Sequence, residues 1–134
     1  MANVTITASN IQGTSGDAID AGVALIAGQL VYKDANDKLQ LSDANGATAL
    51  QKVLGITLNA GAADQPVTIH NQLNGEVTIG GTALTAGVFY YLSGTPGAIC
   101  PYADLTTGYK VIQVGYAKDA NTLVWHLVDT GVTL

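Results

Sequence analysis

The fold is decided by the stretch Ala24-Leu25-Ile26-Ala27-Gly28, which is followed by Tyr32 and returns as Ala83-Leu84-Thr85-Ala86-Gly87, followed by Tyr91. The glycine that closes each stretch predicts a sharp turn, because glycine takes a positive φ at little cost. The tyrosine four residues later then falls in the next strand, where an aromatic ring packs inward with its hydroxyl near the rim. The chain therefore contains an internal duplication.

The duplication continues toward the C-terminal end of the sequence. The repeated order runs through two later pairs of segments: Lys52-Val53 with Gly55 and Lys110-Val111 with Gly115, then Val67-Thr68-Ile69-His70 and Leu123-Val124-Trp125-His126. In each copy a glycine five residues after the histidine, Gly75 or Gly131, is predicted to open a terminal strand. The copies span about residues 21–80 and 81–134 of a single β domain. Two copies are too few for a solenoid, so we expect two similar meanders that close on one shared core.

The secondary-structure pattern is that of β-strands. Short β-branched runs such as Val67-Thr68-Ile69-His70 and Glu76-Val77-Thr78-Ile79 alternate between apolar and polar residues. Turn-forming clusters separate them, for example Asp34-Ala35-Asn36-Asp37 and Ser93-Gly94-Thr95-Pro96-Gly97. The sequence therefore predicts an all-β fold, a compact antiparallel β-barrel or sandwich built from two pseudo-repeats, with an N-terminal arm or edge strand over residues 1–20.

Composition excludes several classes of protein. Charged residues make up 11 % of the chain, arginine is absent, the formal net charge is -5, and 48 % of residues are hydrophobic. Disordered chains have the opposite balance, and nucleic-acid binding needs clustered cations, so we expect no nucleic-acid partner. No apolar run reaches the ~18 residues of a membrane helix, and the first residues lack the features of a signal peptide. We therefore expect a soluble protein that is made in a reducing cytoplasm and has no membrane partner.

Three side chains have the chemistry for catalysis or metal binding. His70 and His126 are the only histidines and occupy equivalent positions in the proposed copies, which raises the possibility of a metal pair or an acid/base pair. No third ligand stands at a useful spacing, so a structural role in a strand is favoured. Cys100 is the only cysteine, and no neighbouring residue activates it as a nucleophile. We expect no catalytic residues, no metal and no cofactor.

The first twenty residues lie outside the duplication and carry the candidate partner-binding residues. Apolar and polar side chains alternate through Asn3, Val4, Thr5, Ile6, Thr7 and Ala8. This alternation predicts a strand with one face to bury, and a glycine-containing stretch at residues 12–16 tethers it to the domain. The segment is either the domain's own edge strand or an arm that adds to the sheet of a neighbour.

The order of motifs resembles that of small capsid decoration (cement) proteins of tailed bacteriophages. The resemblance rests on Ala-Gly-x-x-x-Tyr, an acidic hairpin, Lys-Val-Leu-Gly-Ile, Pro-Val-Thr-Ile, Gly-x-Val-Thr-Ile and Ala-Leu-Thr-Ala-Gly with Tyr-Tyr-Leu-Ser, and it runs from about Ala21 to Val128. It implies a virion structural protein, made in the host cytoplasm, that binds the major capsid protein on the capsid exterior. Such proteins commonly act as homotrimers that bridge neighbouring capsomers, and they carry no catalytic residues. The six residues from Asn3 to Ala8 are then the candidate capsid-binding residues.

Two other classes of function stay open at this stage. A tail-fibre or head-fibre module that binds a host surface glycan would need clustered exposed aromatic side chains. The chain offers five of them for this purpose: Tyr90, Tyr91, Tyr102, Tyr109 and Trp125. Alternation along strands turns some of these inward, which weakens the glycan hypothesis. An enzyme would have to use His70, His126 or Cys100.

Overall fold

The computed structural model describes residues 4, 6–46, 48–79 and 84–134, and within them the chain is all-β, as the sequence predicts. The ten strands are β1 (Ala18–Asp20), β2 (Leu30–Lys33), β3 (Leu39–Leu41), β4 (Gly55–Thr57), β5 (Pro66–His70), β6 (Glu76–Thr78), β7 (Phe89–Leu92), β8 (Ile99–Pro101), β9 (Lys110–Ala117) and β10 (Thr122–Thr133). Three short 3-10 helices, Ala8–Asn10, Thr48–Gln51 and Tyr102–Asp104, complete the elements. No helix among these described residues is long and apolar enough to cross a membrane.

The two sheets repeat the same strand order. The first sheet has the order β1-β5-β4-β2-β3 and the second β6-β10-β9-β7-β8, so adding five to each strand of the first gives the second. The strand pairs within both sheets are antiparallel. The duplication seen in the sequence is therefore a duplicated five-stranded unit, and the prediction of two pseudo-repeats is confirmed.

The boundary between the two units differs from the one drawn on the sequence. β6 pairs with β10 in the second sheet, whereas a division at residues 80 and 81 places it in the first copy. The first unit thus ends at His70 and the second begins at Glu76. Gly131 also differs from expectation, because it lies inside the twelve-residue strand β10 rather than at the start of a separate strand.

The main hydrophobic core draws side chains from both sheets. Leu30 and Ile56 from the first sheet join Val114, Leu123 and Trp125 from the second in one buried cluster. Alternate residues of the strands point away from this cluster and build two smaller ones, around Val31, Leu39, Val67 and Ile69 in the first sheet and around Cys100 and Val111 in the second. The period of two along each strand explains this division.

The predicted glycine turns are present in both units. Gly28 has φ +89° and Gly87 has φ +82°, and in each unit a strand starts two residues later. Tyr32 in β2 and Tyr91 in β7 are both half-buried. The left-handed backbone explains why the two copies share a glycine at this position.

The N-terminal segment lies across the second sheet instead of adding a strand to it. The backbone N–H of Val4 donates to the carbonyl of Ile99 in β8 over 2.9 Å. Gln12 and Thr78 of β6 exchange backbone hydrogen bonds of 3.1 and 2.7 Å. Because β6 and β8 are the two edge strands of this sheet, the segment connects both edges. The predicted strand is wrong for its described residues between 4 and 10, which include the 3-10 helix Ala8–Asn10.

Candidate functional site

The candidate capsid-binding residues lie on the domain's own core where the structure describes them. Val4, Ile6 and Ala8 are partly buried and pack against the main core cluster. Thr7 is exposed, and its backbone N–H donates to the carbonyl of Ile79 over 3.1 Å. Asn3 and Thr5 are outside the described residues. The apolar face of the predicted alternation is therefore covered by the domain itself.

A glycine of the first unit makes room for this segment. A Cβ atom added to Gly28 would lie 2.6 Å from Cγ2 of Ile6 and 3.2 Å from Cδ1 of Ile11. Ile11 is itself buried and belongs to the main core cluster. At the equivalent Gly87 an added Cβ meets nothing within 4 Å. Gly28 thus serves both the turn and the approach of the N-terminal segment.

His70 holds Thr14, in the stretch that connects the N-terminal segment to the domain. Its side chain is completely buried, and its Nδ1 lies 3.0 Å from the backbone N of Thr14, whose N–H donates to it. The ring meets Trp125 edge to face, with centroids 6.2 Å apart. Its Nε2 has no hydrogen-bond partner among the described residues. These contacts make His70 a core residue that holds the tether.

The two histidines are not equivalent, which corrects the alignment of the copies. Ile56 follows Gly55 in β4, and Tyr116 follows Gly115 in β9; each pairs with one residue of the neighbouring strand. That partner is His70 in the first sheet and Val124 in the second. His126 is two residues beyond this position, is partly exposed, and has Nδ1 3.5 Å from the side-chain oxygen of Asn74. The pair on which a shared site would depend is therefore out of register.

The described residues contain no cluster of metal-binding side chains. No group of three or more His, Cys, Asp or Glu side chains in residues 4, 6–46, 48–79 and 84–134 is arranged to hold a metal ion. A structural zinc site uses four such ligands.

Cys100 sits in the small cluster behind the second sheet. It is 1 % exposed and packs with Leu105 and Val111. Burial raises the pKa of its thiol to about 11, and the negative charge of Asp104 adds to the rise, against a hydrogen bond with Ser93 that lowers it. A thiol in this state is a poor nucleophile, since the thiolate is the reactive form.

We expect Cys100 to be unreactive in the native protein. With a pKa of about 11, only about 0.1 % of the thiol is ionised at pH 8, and the sulfur is also shielded from reagents. Labelling with a thiol-reactive disulfide reagent at pH 8 will be slow in buffer and rapid in 6 M guanidinium, measured on the same sample. Complete labelling of the folded protein within minutes would contradict this.

The aromatic side chains available for a glycan are mostly inside the protein. Tyr90 and Trp125 are buried in the main core. Tyr91 and Tyr109 are half-buried against the small cluster of Cys100. Tyr102 is exposed, with its ring centroid 5.5 Å from that of Tyr91. Of the five aromatic residues, Tyr102 alone has an exposed ring.

An apolar groove lies between the two units beside β10. Three adjoining depressions of about 300, 320 and 260 Å³ are all lined by Val53. Segment 51–54 forms one wall, and Leu127 and Asp129 of β10 form part of the other. Leu73, which is 61 % exposed, lines the depression nearest Trp125. We call this feature, from segment 51–54 to Leu127, Asp129 and Leu73, the β10 groove.

One edge of β10 is unpaired along more than half of its length. On one side β10 pairs with β9 as far as Thr133. On the other side β6 covers only Thr122 to Val124, and loop residues Asn74 and Gly75 bond to Trp125. Beyond Trp125 no described strand pairs with this edge. The sequence pattern predicts a separate strand that begins at Gly131, and for this reason it indicates neither the long edge of β10 nor the groove.

Comparison with known proteins adds no assignment. The chain matches no protein-family model, and no curated protein matches it.

Proposed function

We propose that this protein is a capsid decoration protein, which binds the outer surface of an assembled phage head and bridges neighbouring capsomers. The partner is the major capsid protein, and the decoration protein itself associates as a homotrimer. The proposed role needs no catalytic residue, cofactor, nucleic acid or membrane. It places the protein on the exterior of the virion after synthesis in the host cytoplasm.

The observation that carries the proposal is where the shared motifs lie. Both Ala-Gly stretches are left-handed turns at Gly28 and Gly87, and the tyrosines that follow lie in equivalent strands of two five-stranded units with the same strand order. The motifs on which the resemblance rests thus belong to the framework of one small double β-unit. A decoration protein uses such a framework to present surfaces rather than a reaction centre.

The surface of the described residues agrees with a binding role. Eight large apolar side chains are exposed: Val23, Ile26, Leu73, Phe89, Tyr102, Val128, Val132 and Leu134. Leu73, Val128 and Val132 adjoin the unpaired edge of β10. A protein with net charge -5 that is bound in many copies stays soluble and does not adhere to DNA during assembly. Many weak contacts by an oligomer then add up through effective concentration.

The direct test is binding to expanded heads that lack a decoration protein. We expect the purified protein to co-sediment with the heads and to form discrete density on the outer surface between capsomers in electron cryomicroscopy. An unrelated acidic protein of similar mass is the control, since it reports non-specific trapping. Absence of both co-sedimentation and surface density would overturn the proposal.

The homotrimer is tested separately by light scattering coupled to size exclusion. The chain mass is 13.7 kDa, so a trimer would have about three times this mass, roughly 41 kDa. Trimerisation confined to the head surface would appear as three-fold density in the images. A monomer in both settings would contradict a trimer.

A further inference from the structure

We propose that the unpaired edge of β10 and the β10 groove together bind an extended segment of the partner, with apolar residues at alternate positions and a carboxylate that meets Lys52. The segment adds to the second sheet as a further strand, beyond Trp125. The inference rests on the proposed function only in assigning this segment to the capsid subunit. The binding itself is a property of the described surface.

The backbone of β10 supplies the first half of this site. From His126 to Thr130 one side of the strand faces no described strand, so the outward N–H and C=O groups there are available to a further strand. The N–H groups of Gly131 and Val132 instead donate to Asp129 Oδ1 and Thr130 Oγ1. Val128 and Val132 are exposed on this half, at 37 % and 50 %. A long, apolar, unpaired edge attracts other chains unless it is covered. Addition of an extended peptide satisfies the backbone groups whatever the peptide's side chains are.

The groove supplies the second half of the site. Leu127 and Asp129 are two residues apart and share a face of the strand, and together with Trp125 they line the β10 groove. A strand placed beside β10 would project every second side chain toward the same face. Val53 forms the apolar floor there and Leu73 the apolar rim. Alternate apolar residues of the added segment would therefore fill the depressions.

Charge defines the chemistry of the segment. The chain has only five cations, and two of them, Lys33 and Lys52, line the groove. Lys52 is exposed and forms no ion pair with a described residue. The groove carboxylate, Asp129, already has Lys110 at 3.8 Å. Lys33 lies 3.8 Å from Asp37 in an ion pair, so Lys52 is the groove cation left for a partner that carries a carboxylate.

A second copy of this chain fits the site less well. β10 of a second copy would offer Lys52 one carboxylate, that of Asp129, and Lys110 already lies 3.8 Å from it. Pairing with Lys52 would have to replace that ion pair, so it adds little to association. A partner segment with its own carboxylate opposite Lys52 avoids this conflict.

The test uses a synthetic nine-residue peptide in which threonine alternates with valine, and glutamate replaces one valine so that its carboxylate lies on the groove side with Lys52. The peptide is labelled with fluorescein and capped at both ends. Anisotropy titration against the full-length protein is expected to show saturable binding. Two matched peptides test the two halves of the site. Replacing the glutamate by lysine removes the charge match, and N-methylating the amides along one edge blocks strand addition. We expect at least a fivefold weaker affinity for each.

Protein variants with matched controls locate the site. Lys52→Gln and Leu73→Ser are each expected to weaken binding of the parent peptide at least threefold. Lys118→Gln removes the same charge from the far end of β9, where Lys118 pairs with Glu76 in an exposed ion pair. Ile26→Ser removes an apolar side chain of similar exposure, 55 % against 61 % for Leu73. Both controls are expected to bind as the parent protein does.

The outcomes separate this inference from the proposed function. Equal affinity for the N-methylated peptide, or no effect of Lys52→Gln and Leu73→Ser, would overturn the site. A dimer that forms without peptide and is lost in Leu73→Ser would also overturn it, since the occupant would be a second copy. Head binding without peptide binding refutes this inference alone. Peptide binding without head binding supports the site and refutes the assignment to the capsid subunit.

Discussion

Deleting residues 2–11 is expected to lower the free energy of unfolding by about 3–5 kcal/mol, measured by urea denaturation. The deletion removes a buried side chain, Ile11, and the partly buried Val4 and Ile6 from the main core. A fully buried Ile contributes about 1.5–3 kcal/mol, and a partly buried side chain contributes less. The backbone bonds from Val4 and Thr7 to the second sheet add about 0.5–1.5 kcal/mol each. The entropy regained by the freed chain offsets part of this sum.

A double-mutant cycle tests the position of the segment more sharply. Gly28→Ala is expected to be more destabilising than Gly87→Ala, because the added Cβ would lie 2.6 Å from Cγ2 of Ile6 only at the first site. Both substitutions share the cost of a side chain at positive φ. In an Ile6→Ala background the extra cost at Gly28 should shrink, which gives a coupling energy of about 0.5–3 kcal/mol. Zero coupling would show that Ile6 lies elsewhere.

The same deletion bears on how the protein grips a head. If stability is unchanged and head binding is lost, the segment is a free arm and the six residues from Asn3 to Ala8 are the grip. If stability falls, the segment belongs to the domain, and a point variant is the better probe. Thr7→Lys alters an exposed side chain and should preserve stability. Loss of head binding in that variant would then place the grip on the exposed side of the segment.

The N-terminal segment shows where alternation misleads. Apolar side chains at alternate positions indicate one buried face, and Val4, Ile6 and Ala8 are indeed turned to the core. A strand also needs a continuous neighbour for its backbone, and here the hydrogen bonds go to two different edges, at Ile99 and at Thr78. Burial was therefore predictable from the sequence, and the backbone conformation was not, because the latter depends on long-range partners.

The duplication shows the opposite case. Turn glycines and β-branched runs have local physical causes, so the turns at Gly28 and Gly87 and the all-β class follow from the residues alone. The unit to which β6 belongs does not follow from the residues alone. The pattern of Glu76 to Thr78 fits the end of one unit and the start of the next equally well. Pairing with β10 decides it. The out-of-register His126 has a similar origin, because only strand pairing shows that Val124 is the residue opposite Tyr116.

Replacing Gly115 by alanine is expected to be the most damaging single substitution, with a loss of about 3 kcal/mol or more in the free energy of unfolding. Gly115 lies in β9, between Tyr90 of β7 and Trp125 of β10. A Cβ atom there would overlap the backbone carbonyl of Val124. Its φ of 158° is also one that L side chains rarely adopt, so backbone strain adds to the steric cost. A backbone carbonyl in a paired strand cannot turn aside as a flexible side chain can.

Gly55→Ala is the matched control, because Gly55 holds the equivalent position in the first unit. There the added Cβ would lie 2.9 Å from the carbonyl of His70, so we expect a smaller loss, about 1–3 kcal/mol.

Register shifts lie next to Gly115 in its pairing with both neighbouring strands, and they accompany the closer approach of β10 to β9 at this residue. If Gly115→Ala folds, relief of the clash should move β10 and weaken peptide binding, whereas Gly55→Ala should leave it unchanged. Wild-type stability in Gly115→Ala would mean that the two strands are further apart than the structure places them.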